Sequence, residues 1–341
     1  MSPVFHCSPG PESPTPRVPE HLTSVAPSTD TYRVSVLLKP FEKVGSGPSS
    51  ARFYHADCLQ VFQQLPAHSV DVIVTSPPYN LGIQYSRYQD ALPPADYLEW
   101  THAWIGAAAR ALRPDGSLFL NVGAKPSDPW TAMDVAQAAR PHLRLQNIIH
   151  WIKSIAIDRE SAGVAAGLTR DLAIGHYKPI NSDRFLNDCH EFIFHFTPNG
   201  STALDRLALG VPYQDQSNIA RWQAASEGVR CRGNTWFIPY ETIQRRDRDR
   251  PHPATFPSKL PEQCLRLHGL DRIQVAMDPF TGLGSTAVAC ARLGVSFIGS
   301  DVDETYLDAA IARVQAAGKP KMAKAGLRAT SSSKKRASAG A

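Results

Sequence analysis

Short apolar runs that alternate with segments of helical periodicity constrain the fold of this chain more than any other feature. The runs at 70–76 and 117–123 are almost continuously apolar, which is typical of strands buried on both faces of a parallel sheet. Between them, residues 96–112 have helical spacing, and Arg-Pro-Asp-Gly at 113–116 predicts the helix end. Further predicted elements are strands at 145–152, 190–197, 273–280 and 295–303, and helices at about 286–293 and 304–317. This alternation predicts an α/β fold with a doubly wound, mostly parallel sheet.

The composition is that of a globular protein with atypical ends. Hydrophobic residues make up 43% and charged residues 20% of the 341 residues, which argues against a disordered chain. Residues 1–48 are rich in Pro, Ser and Thr and predict a disordered leader, whereas 319–341 predict a flexible basic tail. No apolar run reaches the roughly 18 residues of a membrane span, and the N-terminus lacks a signal-peptide pattern. We therefore expect a cytoplasmic protein with no membrane partner.

Cysteine spacing and net charge say little about a ligand. No two of the six cysteines lie closer than 26 residues, so the sequence predicts no metal site, and reduced thiols are expected. The net charge of +5 is smaller than the charge of the tail, which has seven basic and no acidic residues. A nucleic-acid partner would therefore require the basic residues of the body to gather on one face.

A glycine-containing turn follows the strand predicted at 273–280. Its sequence, Asp278 to Thr286 (DPFTGLGST), places Gly282 and Gly284 between a strand and a helix. Glycine allows a ligand to approach the backbone, and such turns hold nucleotides or cofactors in doubly wound folds. The turn matches neither the full dinucleotide fingerprint nor a P-loop, and a purely structural connection is the alternative.

An acidic residue ends the next predicted strand. Asp301 lies about 20 residues after the glycine turn, where a carboxylate can accept hydrogen bonds from ribose hydroxyls. A helix N-cap is the alternative role for this aspartate. Turn and acid together favour a cofactor that contains adenosine.

A third motif follows the first predicted strand. Thr75-Ser76-Pro77-Pro78-Tyr79 combines a hydroxyl, two residues without backbone donors and an aromatic ring. Hydrogen-bond acceptors and a stacking ring are suited to a planar group that bears an amine. A polyproline loop is the alternative interpretation.

These motifs together resemble a known family. TSPPY at 75–79, then HPATFP at 252–257, then DPFTGLGST at 278–286 are similar to the amino-methyltransferases of DNA, in the order of their permuted beta group. The resemblance covers about 52–314 and implies a sheet of the S-adenosylmethionine-dependent methyltransferase type, with one antiparallel strand near an edge. It also implies a catalytic half at 49–154, an irregular inserted DNA-recognition region at 155–250 that includes the strand near 190–197, and a cofactor-binding half at 251–318.

The resemblance assigns roles to individual residues. Ser76 and the Pro77 carbonyl would hold the target amine, with Pro78 and Tyr79 completing the catalytic motif and Tyr79 stacking on a flipped base. The implied contacts of S-adenosylmethionine are Asp57, His252, Pro253, Phe256, Asp278, Phe280, Gly282, Gly284, Ser285, Thr286 and Asp301. The expected DNA contacts are Tyr177, Lys178, Arg184, Arg221, Arg230 and Arg232. For Tyr177 and Lys178, a surface loop without a DNA contact is the alternative.

The resemblance implies a reaction and partners. Double-stranded DNA would be the substrate, with the base flipped out and the methyl group transferred directly in line. Ser rather than Asp at position 76 favours N4 of cytosine over N6 of adenine, which is the main alternative. An RNA or protein methyltransferase, an inactive DNA-binding protein and a nicotinamide oxidoreductase are disfavoured. A homodimer and a cognate restriction endonuclease stay open as partners.

Overall fold

The computed structural model describes residues 38–45, 49–83, 87, 90–163, 167–175, 179–213, 228–239 and 255–318. Thirteen strands occur in this part of the chain: β1 (Glu42–Val44), β2 (Ala51–His55), β3 (Val70–Thr75), β4 (Leu112–Val122), β5 (Arg144–Ile152), β6 (Ser154–Ile157), β7 (Leu172–Gly175), β8 (His190–Thr197), β9 (Val211–Pro212), β10 (Val229–Arg230), β11 (Thr235–Phe237), β12 (Val275–Asp278) and β13 (Ser296–Asp301). The α-helices are α1 (Cys58–Gln64), α2 (Pro94–Ala111), α3 (Thr131–Ala139), α4 (Lys259–His268), α5 (Ser285–Leu293) and α6 (Glu304–Ala317). A π-helical turn at Arg159–Gly163 and a 3-10 turn at Leu270–Arg272 complete the set.

Nine strands form one mixed sheet in the order β1-β2-β13-β12-β3-β4-β8-β5-β11. Neighbouring strands from β2 to β4 are parallel, and so are β5 and β11. This confirms the predicted doubly wound, mostly parallel α/β sheet. Two strands run against the others: β1 at one edge, and β8 between β4 and β5. The resemblance implied one antiparallel strand near an edge, whereas the sheet has two, because the short strand β1 is also antiparallel to its neighbour.

Helices cover both faces of the central strands. Along β3, Val72 and Val74 point into a cluster that contains residues of α4, α5 and α6, whereas Ile73 points into a cluster with residues of α1, α2 and α3. Ala276 and Met277 of β12 divide between the same two clusters. Because successive strand residues face opposite sides, a continuously apolar run is needed to fill both cores.

Most predicted elements agree with the structure, and the differences have local causes. The helix predicted to end at Leu112 ends at Ala111, and β4 begins at Leu112, earlier than predicted. Residues 113–115 are exposed, and the pairing of this segment with β3 shifts between Val70 and Val72. Arg113 in this segment forms an ion pair with Asp71 at 2.9 Å.

The region at 155–250 contributes strands to the large sheet, as the strand predicted near 190–197 implied. Within 155–250, β8 and the short edge strand β11 both belong to the nine-stranded sheet. The sequence predicted β8 but not β11. Part of the predicted leader is also structured, since β1 at 42–44 pairs with β2. The tail at 319–341 lies outside the described residues. None of the described helices is long and apolar enough to cross a bilayer.

Candidate active site

The glycine turn after β12 begins at a buried carboxylate. Asp278 accepts hydrogen bonds on Oδ1 from the Thr75 hydroxyl (2.7 Å) and the Phe280 backbone N–H (3.1 Å), and on Oδ2 from the Thr286 hydroxyl (2.9 Å). Burial raises the pKa of Asp278 to about 7, with a further contribution from Asp301, although the hydrogen bonds oppose the shift. Thr286 is completely buried, and its hydroxyl contacts Asp278 and, at 3.2 Å, the Val74 carbonyl.

The carboxylate of Asp301 joins the turn to the start of α6. Its Oδ2 accepts from the Gly282 N–H at 2.8 Å, and its Oδ1 accepts from the Asp303 N–H at 2.9 Å. The N-cap of α6 is Asp303, which accepts from the Thr305 N–H at 2.9 Å. The N-cap role that was the alternative for Asp301 thus belongs to Asp303. Burial raises the pKa of Asp301, against the lowering effect of the backbone donors.

Gly284 and Ser285 shape the turn in different ways. Gly284 has φ +71°, and a Cβ there would lie 2.7 Å from the Cβ of Ala310 on α6. Its role in the structure is therefore to let α5 and α6 approach. The Ser285 hydroxyl donates to the Phe256 carbonyl at 2.7 Å, which fixes the segment before α4 against the turn.

The Ser76–Tyr79 motif follows β3 and adjoins the glycine turn. The hydroxyl oxygens of Ser76 and Tyr79 are 2.5 Å apart. The Pro78 carbonyl accepts a hydrogen bond from the hydroxyl of Tyr97 on α2 at 2.8 Å. The motif is thus held in place by contacts from its own side chains and from a neighbouring helix.

Three polar residues that sequence reasoning missed lie behind this motif. Asn121 Nδ2 donates to the Tyr79 hydroxyl oxygen (2.6 Å) and to Glu191 Oε2 (2.7 Å). Tyr79 donates to the same Glu191 oxygen at 3.2 Å, and Lys153 Nζ lies 3.0 Å from the other. For Asn121 and Glu191, the available signal was a polar or charged residue beside the apolar residues of a predicted strand, whereas Lys153 follows β5 and carried no such signal.

A fourth missed residue, Asp90, secures the loop after Tyr79. The buried Asp90 carboxylate accepts three backbone N–H bonds, from Asn80 at 2.8 Å and from Leu81 and Ile83 at 3.0 Å each. The Asn80 side chain exchanges two further bonds with the backbone of Leu92. Burial raises the pKa of Asp90, while the three N–H donors lower it.

One cavity brings the Ser76–Tyr79 motif and the glycine turn together. Its lining includes most of the predicted residues: Asp57, Ser76, Pro77, Pro78, Tyr79, Phe256, Asp278, Phe280, Gly282, Ser285 and Asp301. Trp100 of α2, which was not predicted, also lines it and packs against Phe280 with ring centroids 5.5 Å apart. Asp57 also caps α1 by accepting from the Leu59 N–H at 2.8 Å.

The remaining predicted residues lie elsewhere. Arg184, Arg230 and Arg232 are exposed, and Arg232 Nε donates to the Leu209 carbonyl at 3.1 Å. The predicted residues that fall outside the described part of the chain are Tyr177, Lys178, Arg221, His252 and Pro253. Among the described residues, no group of three His, Cys, Asp or Glu side chains could hold a metal ion.

Comparison with known proteins defines the class of protein to which this fold and cavity belong. The DNA methylase family of N6 and N4 methyltransferases matches residues 70–312, and the chain belongs to this family. Methyltransferases of this family use S-adenosylmethionine, which is therefore the cofactor.

Individual relatives agree with this assignment. The Type II methyltransferase M.ScaI of Streptomyces caespitosus is 26% identical over 288 residues, which cover 83% of this chain and 88% of M.ScaI. M.HpaI of Haemophilus parainfluenzae, also a Type II methyltransferase, is 26% identical over 264 residues, covering 77% and 74%. The fold is similar to that of the PvuII DNA methyltransferase (cytosine-N4-specific), with a TM-score of 0.55 and 16% identity over 80% of this chain and 88% of that one.

Proposed function

We propose that this DNA methyltransferase is site-specific and methylates the exocyclic N4 amine of cytosine in double-stranded DNA, after flipping the base out of the helix. The observation that carries the proposal is the shared cavity, in which Ser76 and Tyr79 face the same space as Asp278 and Asp301. A buried base in a duplex cannot reach such a cavity, so the target nucleotide must leave the stack.

The lining of the cavity fits S-adenosylmethionine. Asp301 supplies a carboxylate for ribose hydroxyls, Phe256 and Phe280 supply aromatic surface for the adenine, and Asp278 and Gly282 lie where the strand meets the turn. Asp57, which also lines the cavity, adds a second acceptor near the adenine. When bound, the cofactor supplies an electrophilic methyl group on a sulfonium centre.

Ser76 and Pro77 act on the target amine. An aromatic amine is a poor nucleophile, because its lone pair is delocalised into the ring. Acceptors at the Ser76 hydroxyl and the Pro77 carbonyl hold its two N–H groups and favour a pyramidal nitrogen with an available lone pair. Tyr79 stacks on the flipped base, so that positioning provides most of the acceleration.

The choice of cytosine rests mainly on Ser76. A hydroxyl accepts one N–H bond without placing a carboxylate beside the O2 and N3 acceptors of cytosine. The PvuII enzyme, whose fold this chain shares, is itself cytosine-N4-specific. N6-adenine methylation is the alternative, and it would use the same cavity.

DNA binding is assigned to three exposed arginines and to three further residues that the sequence predicted. Arg184, Arg230 and Arg232, together with Tyr177, Lys178 and Arg221, are proposed to contact DNA, chiefly its phosphates. The Type II relatives favour a role in restriction and modification. An inactive DNA-binding protein is the further alternative.

The test is methyl transfer from isotope-labelled S-adenosylmethionine to DNA, with the products digested to nucleosides and identified by mass. We expect labelled N4-methylcytosine with the wild-type chain and none with Ser76→Ala or Tyr79→Ala. Asp301→Asn should weaken cofactor binding by roughly tenfold to a hundredfold, as expected when a charged hydrogen-bond acceptor is lost. Calorimetric titration of the cofactor measures this change.

The other outcomes are equally specific. Labelled N6-methyladenine would keep the class of enzyme and overturn the assignment of Ser76 to cytosine. Cofactor binding without label in any DNA nucleoside, across varied sequences, would favour the inactive DNA-binding protein. The exposed Asp308→Asn on α6 is the matched control for Asp301→Asn, and its cofactor affinity should equal that of wild type.

A further inference from the structure

The cavity is backed by a continuous set of hydrogen bonds that leads from Ser76 to a buried ion pair. Ser76 and Tyr79 line the cavity, whereas Asn121, Glu191 and Lys153 lie behind them. The side chains of Lys153 and Glu191 are 12% and 13% exposed, so this charge pair is largely shielded from solvent.

The amide of Asn121 determines the direction of these bonds. Its nitrogen must face Glu191 Oε2 at 2.7 Å, because an amide oxygen there would place two acceptors together. The second amide proton points to the Tyr79 oxygen at 2.6 Å, which makes that oxygen an acceptor. Tyr79 then donates its own proton to the Glu191 carboxylate, which is a stronger acceptor than a neutral hydroxyl.

The hydroxyl of Ser76 is the last donor in this series of hydrogen bonds. If the Tyr79 proton is directed to Glu191, the 2.5 Å contact between the two hydroxyls is a bond donated by Ser76 to Tyr79. The lone pairs of Ser76 Oγ are then available to an amine in the cavity. Gly123 permits the close packing, since a Cβ there would lie 3.1 Å from the Tyr79 ring and 3.3 Å from Glu191 Cδ.

We propose that Glu191 receives, through Tyr79 and Ser76, the proton that the target amine must lose. This inference rests on the proposed function. The amine lone pair forms the new N–C bond while the S–C bond breaks and its electron pair stays on sulfur, which leaves a positively charged nitrogen. That nitrogen gives a proton to Ser76 Oγ, Ser76 gives its hydroxyl proton to Tyr79, and Tyr79 gives its own to Glu191. Glu191 ends as a neutral acid, and both hydroxyls are restored.

Glu191 and Lys153 are positioning residues in this scheme, because neither lines the cavity. The charged or titratable groups around Glu191 are Lys153, Asp188, His190 and the Tyr79 hydroxyl. The Lys153 ammonium keeps the pair neutral overall while Glu191 is ionised, and it favours return of the proton to solvent after each transfer.

The test measures single-turnover methyl transfer by the full chain, with genomic DNA that the wild type methylates, over about pH 5 to 9. We expect the wild-type rate to fall on the acid side, because a path that ends on a carboxylate needs an acceptor that is free of its proton. Glu191→Gln should lower the rate by about 100-fold and abolish this acid limb, while the KM for DNA and for cofactor stays within about twofold. Glu191→Asp should restore part of the rate together with the limb. Glu99→Gln, at an exposed site on α2, is the matched control and should behave as wild type.

Two further measurements separate a proton path from a structural role. Tyr79→Phe interrupts the path but keeps the ring, so the double variant Tyr79→Phe/Glu191→Gln should lose no more than about threefold beyond the slower single variant. Thermal unfolding of Glu191→Gln identifies a folding defect. A uniform loss of rate with the acid limb intact, or full additivity of the two variants, would overturn the proton path. A wild-type chain that labels no DNA would instead remove the proposed function, and with it this inference.

Discussion

The hydroxyl of Thr75 donates a 2.7 Å hydrogen bond to the carboxylate of Asp278, across 203 residues of sequence. Thr75 ends the strand before the Ser76–Tyr79 motif, and Asp278 begins the glycine turn. Because β3 and β12 are adjacent parallel strands, their carboxyl ends meet at the same edge of the sheet. The bond therefore joins the strand that carries the Ser76–Tyr79 motif directly to the glycine turn.

Replacing Thr75 with Val should lower the free energy of unfolding and change the pH dependence of cofactor binding. The substitution keeps the shape of the side chain but leaves Asp278 Oδ1 with one fewer donor. We expect a loss of about 1–3 kcal/mol in the free energy of unfolding, measured with urea. The Thr75 bond lowers the pKa of Asp278, so the variant should raise that pKa above about 7 and shift the pH dependence of cofactor binding upward. Thr305→Val, at an exposed site on α6, should change neither quantity, and equal effects of the two variants would contradict the assignment.

Asp90→Asn should loosen the loop that follows Tyr79. The carboxylate accepts three backbone N–H bonds, and an amide places a donor against at least one of them. We expect a loss of about 1–3 kcal/mol and faster hydrogen exchange at Asn80, Leu81 and Ile83. Exchange at wild-type rates at all three amides would show that Asp90 does not hold the loop. Asp308→Asn is again the exposed control.

Gly284 and Gly294 provide a matched pair for the packing of α5. Both have φ above +70°, but a Cβ meets Ala310 at 2.7 Å only at Gly284, and at Gly294 nothing lies within 4 Å. Gly294→Ala should cost about 1 kcal/mol, the usual penalty for this backbone conformation. Gly284→Ala should cost about 2–4 kcal/mol, because the helices must also separate. Equal losses in urea unfolding would contradict the steric argument.

Two buried histidines should make the protein sensitive to acid. His195 and His268 both bond to the Ser117 hydroxyl, at 3.0 and 2.9 Å. Burial lowers the pKa of His195 to about 3 and that of His268 to about 4, from 6.5. Below about pH 6.5 the unfolded chain binds protons that the folded chain cannot, so stability is present above that pH and is lost as the pH falls toward 4. The loss should be on the order of 3 kcal/mol for each ring.

The variant His195→Gln isolates this effect. Its free energy of unfolding should fall by about 3 kcal/mol less than that of wild type between about pH 7 and pH 4, measured with urea. The raised pKa of Asp278 acts in the opposite direction, since an acid held neutral in the fold loses stability as the pH rises from about 4 to 7. That contribution is common to both proteins and cancels in their difference. Parallel pH curves would contradict the role of His195.

Local patterns in the sequence determined the class of fold and the two motifs of the site. Strand burial, helix periodicity and turn chemistry depend on residues near one another in the chain, so β3, α2, β12 and α5 could be predicted, as could the positions of Ser76 and Asp301 at strand ends. Family resemblance added the order of the motifs, and the comparisons confirm the class of enzyme.

Only the tertiary structure decided what lies behind the motifs. Glu191 reaches Asn121 across 70 residues and Tyr79 across 112, because β8 inserts antiparallel between β4 and β5. Periodicity shows that a strand is buried, but it does not specify which strands are neighbours or in which direction they run. Glu191 of β8 therefore had no predictable partner until the strand order placed it against Tyr79. Thr75 and Asp278 are likewise far apart in the sequence, and they come into contact because β3 and β12 are neighbours in the sheet.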